Sequence, residues 1–334
     1  MPKVVEVKDI VPSKWEALAR TSSVATWFQT KEAYDFFDSL SFLEAFAFGV
    51  EDDGRLVGVV VGFIQKDGGK LKQYLSRRAI INGGPLLDDN ITDEELSLLL
   101  KTLKSRMSRK CIYVETRNFN DYSRWRSVFE GCGFSYEPHY DVIVETSTME
   151  LVNDRLDRNR RRNIKKANEN GLVIDQSVSD GDLFQFYQML VELYRSKVKT
   201  PLWPFEFFQK LKNLESAHFF MAKDSEGKLI GGLVCVALES RVVHALFACG
   251  DDQNHKALSP SVMVNYAGIC YAAEHGFSQF DFMGAGKPDD GGYGVRDFKL
   301  KFGGELLELG RFVHVCNRLL FAVGKCGVKI MKKL

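Results

Sequence analysis

Lys299 stands in a segment whose residue types could handle a developing charge. Phe280–Glu305 reads FDFMGAGKPDDGGYGVRDFKLKFGGE: a strand carrying Asp281, a glycine-rich loop, then a short helix with Phe298, Lys299 and Lys301. A lysine so placed can neutralise an oxyanion or a phosphate; pairing with Asp297 on the surface is the plainer alternative. Glycines let backbone approach a ligand closely, so Gly284 and Gly286, with Tyr293, are candidates for donor contacts. GAG alone is a weak dinucleotide signal. No G-x-G-x-x-G opens a helix here, which excludes a Rossmann site.

Two further segments point to anions. Asn254–Ser261 reads NHKALSPS and precedes a helix at 261–274. Ser259 suits the N-cap and Pro260 the first helical position. The amides of that helix start, with Lys256, Ser259 and Ser261, form a ready anion site, although capping alone would use the same residues. The second segment is Asn153–Gly171, NDRLDRNRRRNIKKANENG. It reads as one helix ended by Gly171. Over the 14 positions 153–166, Arg155, Arg158, Arg160, Arg161, Arg162, Lys165 and Lys166 face only Asp154 and Asp157, a local excess of +5 on a chain whose net charge is +1. Such a helix can hold phosphates without reading sequence, or be a solvated face. No nucleophile triad is visible, and the 6 histidines lack metal spacing, so no metal site is expected.

The elements that must position these groups come from a chain of 334 residues, 45% hydrophobic and 27% charged. This is the composition of a folded protein, long enough for about two domains. With 45 basic against 44 acidic side chains it is not basic overall, so nucleic-acid binding would need a local patch. Its 7 cysteines are odd in number, scattered and without CxxC, which reads as reduced thiols. The first residues lack the apolar core of a signal peptide, and no apolar run approaches a membrane span. A cytoplasmic location is expected.

The chain repeats itself. Phe46–Phe63, FAFGVEDDGRLVGVVVGF, and Phe219–Leu238, FFMAKDSEGKLIGGLVCVAL, are matching hairpins 173 residues apart. Their turns are Asp53-Gly54 and Glu226-Gly227. Each is followed by strand, helix, strand, helix and a closing strand. In the first half these are a strand at 70–75, a turn at Asn82-Gly83-Gly84-Pro85, a helix at 92–107, a strand at 111–116 and closing strands near 134–136 and 142–144. The second half opens with helices at 181–198 and from 202. The reading is two α/β domains of one fold, 1–148 and 149–315, followed by a basic amphipathic tail at 316–334 that either packs or touches a membrane surface.

Arg158–Gly171, RNRRRNIKKANENG, together with FDFMGAG…GGYGVRDFKLKFGGEL at 280–306, resembles the FemABX family of peptidoglycan-bridge aminoacyltransferases and the GNAT-type acyltransferases related to it. VKTPLWPFEFF at 198–208 and ALSPS at 257–261 are similar to the wider GNAT set. The resemblance covers most of the chain and implies an α/β (α+β) fold of two tandem GNAT domains, mixed twisted sheets flanked by helices, with a cleft between them. It implies acyl transfer to an amine, with aminoacyl-tRNA or acyl-CoA as co-substrate and no permanently bound cofactor. The acceptor it implies is a nucleotide- or lipid-linked cell-wall precursor; the alternatives are a small amine or sugar, or a precursor-binding module without catalysis. The long coiled-coil arm of some members is absent, as is the pyrophosphate loop of ordinary acetyltransferases. A monomer is expected. By this resemblance Phe298-Lys299 matches the family's Phe-Lys pair, with Lys299 stabilising the donor's charge and Asp281 acting as base or amine-positioning group. Arg158, Arg161, Arg162 and Lys165 would contact phosphate, and Lys197 and Lys199 an acceptor carboxylate or phosphate.

Overall fold

A computed structural model of the chain describes residues 1–66, 73, 76–290 and 294–331, with side chains as far as 324. The strand expected at 70–75 lies, but for Gln73, outside the described residues, and so does Tyr293. Contacts divide the chain into two compact units, 1–139 with 309–334, and 140–308.

In the first unit the hairpin is β2 (Glu44–Asp52) and β3 (Arg55–Gln65), flanked by β1 (Lys3–Glu6). Asp53 and Gly54 take φ of 44° and 77°, the left-handed pair that a tight turn requires. Beside β3 run β4 (Arg78–Asn82) and the two-residue β5 (Leu86–Leu87), and parallel to β4 runs β6 (Tyr113–Arg117). Helix α3 (Asp93–Met107) crosses between β4 and β6; α1 (Pro12–Thr21) and α2 (Lys31–Ser39) precede the hairpin, and α4 (Arg126–Gly131) follows β6. Thr92 and Glu95 close a capping box at the start of α3, with Glu95 taking the Thr92 amide at 2.7 Å. Such caps contribute about 1 kcal/mol each.

The second unit repeats this order. Its hairpin is β10 (Ala217–Lys223) and β11 (Leu229–Leu238), flanked by β9 (Val173–Asp175). Beside it lie β12 (Val242–Gly250) and, parallel to it, β13 (Gln279–Asp281). Helix α9 (Pro260–Glu274) makes that crossover. The expected helix across 153–171 is two: α5 (Met149–Arg155) and α6 (Arg158–Glu169). Asp157 breaks them, because its carboxylate caps α6 by accepting the Asn159 amide at 2.8 Å. Next come α7 (Asp180–Leu193) with a π-turn at Tyr194–Val198, then α8 (Phe205–Leu211) and, after β13, α10 (Gly294–Leu300).

The boundaries fall elsewhere than the sequence reading placed them. Strand β8 (Tyr140–Glu145), expected to close the first half, pairs with β13 and with β14 (Glu305–Glu308). Strand β15 (Arg311–Val315) returns to the first sheet between β6 and β7 (Ser135–Glu137). The sheets run β1-β2-β3-β4-β6-β15-β7 and β9-β10-β11-β12-β13-β8-β14, so each half supplies a strand to the other's sheet. Burial accounts for this: Val142 and Val144 complete the second core, while Phe312 stacks on Phe129 at 4.0 Å in the first. The tail likewise joins the first unit as helix Arg318–Met331, with Phe321 set against Tyr113 at 5.3 Å. Among the described residues no helix is long and apolar enough to cross a membrane.

Candidate active site

The parallel pair in the second unit is short. His244 lies opposite Asp281, and that rung is the last; β12 runs on to Gly250 without a parallel neighbour. Beyond the rung β12 also bulges: Ala245 pairs with Cys235 but Phe247 with Val234, so Leu246 is the extra residue. Bulges re-aim a strand and collect near active sites. The parting strands leave a cavity of about 580 Å³ walled by Leu246 and Phe247 of β12, Tyr194 and Val198 of the π-turn, Phe282, and Val295 and Phe298 of α10. Its polar lining includes Lys299, Asp252, Ser261, Asn265 and Lys197. An apolar cavity of this size with a few converging polar groups is the common form of a small-ligand site.

Lys299 is held tightly. Its ammonium donates to the carbonyls of Phe282 at 2.9 Å, Gly284 at 2.7 Å, and Met283. Met283 and Gly284 both take left-handed backbone, φ 50° and 44°, which turns the carbonyls inward. Burial lowers the Lys299 ammonium to about 8, opposed by Asp141 and Asp281. Phe298 precedes it, and the Arg160 guanidinium sits 4.3 Å from that ring while donating to the Phe298 carbonyl at 3.1 Å. The basic helix α6 is thus fastened to the cavity wall. Arg160 is its buried cation; Arg158, Arg161, Arg162 and Lys165 are exposed on the outer face.

Other expected groups stand differently. Asp281 does not line the cavity. It is fully buried, accepts the Met283 amide at 2.6 Å, and is pushed up to about 7 by desolvation. A strand-end residue that looked outward in the pattern is turned under the loop. The anion site at the start of α9 is filled from within. Asp252 accepts the Ser261 amide at 3.2 Å, and the Ser259 carbonyl takes the amides of Val262 and Met263 at 2.9 and 3.1 Å. Ser259 occupies the N-cap in a left-handed conformation, but its hydroxyl donates to the Lys256 carbonyl at 3.3 Å rather than capping. Lys256 is exposed and does not line the cavity, whereas Ser261 does. The Gly284 carbonyl serves Lys299, and the Gly286 carbonyl accepts the Tyr140 amide at 2.9 Å. Lys197 lies at the cavity and Lys199 ends the π-turn with φ 56°; both are exposed. Among the described residues no cluster could hold a metal ion.

Sequence reading missed Asp252, Tyr194 and Phe247 as wall residues. Asp252 lies two residues upstream of the loop it singled out, but only the fold brings it against Ser261. Arg160 was counted among seven equal cations, and its place on the apolar stripe with Ile164 and Ala167 was the available signal.

Residues 155–299, all within the second unit, match the acetyltransferase (GNAT) domain family. The whole chain superposes on a crystal structure of FemX with a TM-score of 0.73 at 17% identity, covering 97% of this chain and 99% of that one. A tandem GNAT protein from the clavulanic acid biosynthesis pathway aligns with a TM-score of 0.58 at 11% identity over 95% and 99% of the two chains. The C-terminal domain of a putative lysylphosphatidylglycerol synthetase from Agrobacterium fabrum gives 0.61 at 13% over 96% and 95%. No curated protein matches the sequence. The fold is that of tandem GNAT proteins of FemABX-like organisation. The family match lies in the second unit, where residues 155–299 read as an acetyltransferase-type GNAT domain.

Proposed function

We propose that the second unit transfers an aminoacyl group from an ester donor of the aminoacyl-tRNA kind to an amine of a cell-wall precursor. The observation that carries this is the fastening of α6 to the cavity: Arg160 grips Phe298 from inside while Arg158, Arg161, Arg162 and Lys165 face solvent. A phosphate chain lying along that face would bring its end to the wall beside Lys299. The filled start of α9 is a second support, because Asp252 takes the amide that a pyrophosphate would need.

In this reading the acceptor amine attacks the ester carbonyl and a tetrahedral oxyanion forms. Lys299 exchanges one loop carbonyl for that oxygen and stabilises its charge in a poorly solvated wall. The C–O bond to the ribose then breaks, the leaving oxygen gains a proton, and the amide nitrogen loses one. Asp252, the carboxylate in the cavity wall, takes the amine's proton. Lys197 and Lys199 hold an acceptor carboxylate or phosphate at the rim. The resemblance to FemABX proteins supports the cell-wall acceptor.

Titration with charged tRNA, uncharged tRNA and acetyl-CoA at one salt concentration tests the donor. Charged tRNA is expected to bind more tightly than uncharged, with acetyl-CoA silent. Micromolar binding of acetyl-CoA alone would overturn the reading in favour of an acetyl-CoA-dependent N-acetyltransferase, as the family match allows.

A further inference from the structure

Asp281 and His244 are buried where the strands part, with each side chain 1% exposed and Oδ2 3.7 Å from Nε2. Neither lines the cavity, yet the carboxylate is one hydrogen bond away from Met283, which does. Asp281 Oδ1 accepts the Met283 amide at 2.6 Å, and that amide opens the left-handed turn whose carbonyls hold Lys299. Among the described residues nothing hydrogen-bonds Asp281 Oδ2. A carboxyl group used only for capping a turn would not need burial with no hydrogen bond to its second oxygen, because that placement costs free energy.

We propose that Asp281, with His244 behind it, is the positioning residue for Lys299: it fixes the Met283 amide and so aims the carbonyls of Phe282, Met283 and Gly284 at the ammonium. The proposal rests on the reading of Lys299 as the charge-stabilising group, but its test needs no donor. Charge adds to geometry. Lys299 feels Asp141 on β8 and Asp281 on β13, both of which favour its ammonium form against burial. His244 on β12 is driven down to about 3 by burial and stays neutral, so it leaves that attraction intact. Arg296, on the Lys299 helix, is turned to the carbonyls of Ala285 and Lys287.

The test is an NMR titration of protein labelled with 13C-lysine, the Lys299 Cε signal being the one missing from Lys299→Arg. Asp281→Asn keeps an acceptor for the Met283 amide and removes the charge. Its Lys299 signal is expected at the wild-type position at pH 6, with a titration midpoint lower by half a unit or more. Asp281→Ala removes both, and the signal is expected to move at pH 6 as well. A wild-type position and midpoint in Asp281→Ala would overturn the proposal. Should that variant not fold, the wild type decides: the Met283 amide and the Lys299 Cε must share one inflection, and two unrelated curves would overturn it. Turnover, once a donor is in hand, should fall in kcat with KM held for Asp281→Ala and be partly rescued in Asp281→Asn. Failure of every donor to bind would sink the proposed function and leave these titrations standing.

Discussion

At the carboxyl end of β4 the first unit carries Gly83-Gly84-Pro85, and at the carboxyl end of β13 the second carries Phe282-Met283-Gly284. Both loops finish a parallel strand pair, and both aim carbonyls inward. In the first unit neutral groups answer them: Gln29 Nε2 donates to Gly83 and Gly84 at 2.9 and 3.0 Å, and the Tyr122 hydroxyl lies 2.8 and 2.7 Å from the carbonyls of Gly83 and Pro85. Gln29 and Tyr122 are buried, and a Cβ on Gly84 would come within 2.7 Å of the Tyr122 ring. In the second unit an ammonium answers the carbonyls and a cavity stands beside it. The two ends belong to different members of the parallel pair, β4 next to the hairpin and β13 across the crossover helix, and their carbonyls are answered in two ways. A neutral hub satisfies the backbone and stores no charge. Lys299 satisfies the same kind of carbonyls but keeps a positive charge that burial makes costly and that a developing anion would relieve.

Removing the central group from each end should separate the two roles. Lys299→Ala is expected to lower kcat by about 10²–10³-fold, the usual loss for one oxyanion donor, in steady-state transfer assays, with the fold kept. Full turnover would put the chemistry elsewhere. Gln29→Ala should do the reverse. It orphans the buried Gly84 carbonyl and Thr26 amide at about 1–3 kcal/mol each, visible as a lower urea midpoint, while donor affinity stays unchanged.

The rung His244–Asp281 sharpens the contrast through pH. Folding holds a proton on Asp281 up to about 7 and keeps His244 neutral down to about 3. Between the ordinary carboxylate and imidazole values, the folded pair is therefore neutral and the unfolded pair is doubly charged with the same number of protons. The two slopes cancel. His244→Gln leaves the raised Asp281 alone, so the folded state binds the extra proton and stability falls as pH rises from about 4 to about 7. Asp281→Asn leaves the depressed His244, so stability falls as pH drops from about 6.5 to about 3. Chemical denaturation at several pH values, relative to wild type, reads both slopes, each limited to about 1.4 kcal/mol per pH unit.

The smallest effect belongs to the outer face of α6. Arg158→Ala, Arg161→Ala and Arg162→Ala should each weaken donor binding a few-fold and lower the salt slope by about 1. Arg160→Ala should instead change kcat, because it releases Phe298. Equal behaviour of all four would make the helix a diffuse patch.

The hairpins and the duplicated order were legible because alternating apolar runs and Asp-Gly or Glu-Gly turns are local signals. The exchange of β8 and β15 was not, since the pattern of Val142–Val144 shows an apolar strand but not which sheet buries it. The same limit governs the site. Phe298-Lys299 could be read from sequence, whereas the inward turn of Asp281 depends on left-handed backbone at Met283, a residue type that gives no warning of it. The filling of the α9 start by Asp252 depends on a contact across nine residues.

The most direct measurement is photo-crosslinking with an aminoacyl donor analogue carrying a photoreactive acyl group, followed by peptide mapping. The account predicts label on 194–198, 246–248 or 295–299, reduced by Lys299→Ala. Label concentrated at 26–29, 83–85 or 122 would contradict it, because the first unit would then hold the donor that the second is argued to take.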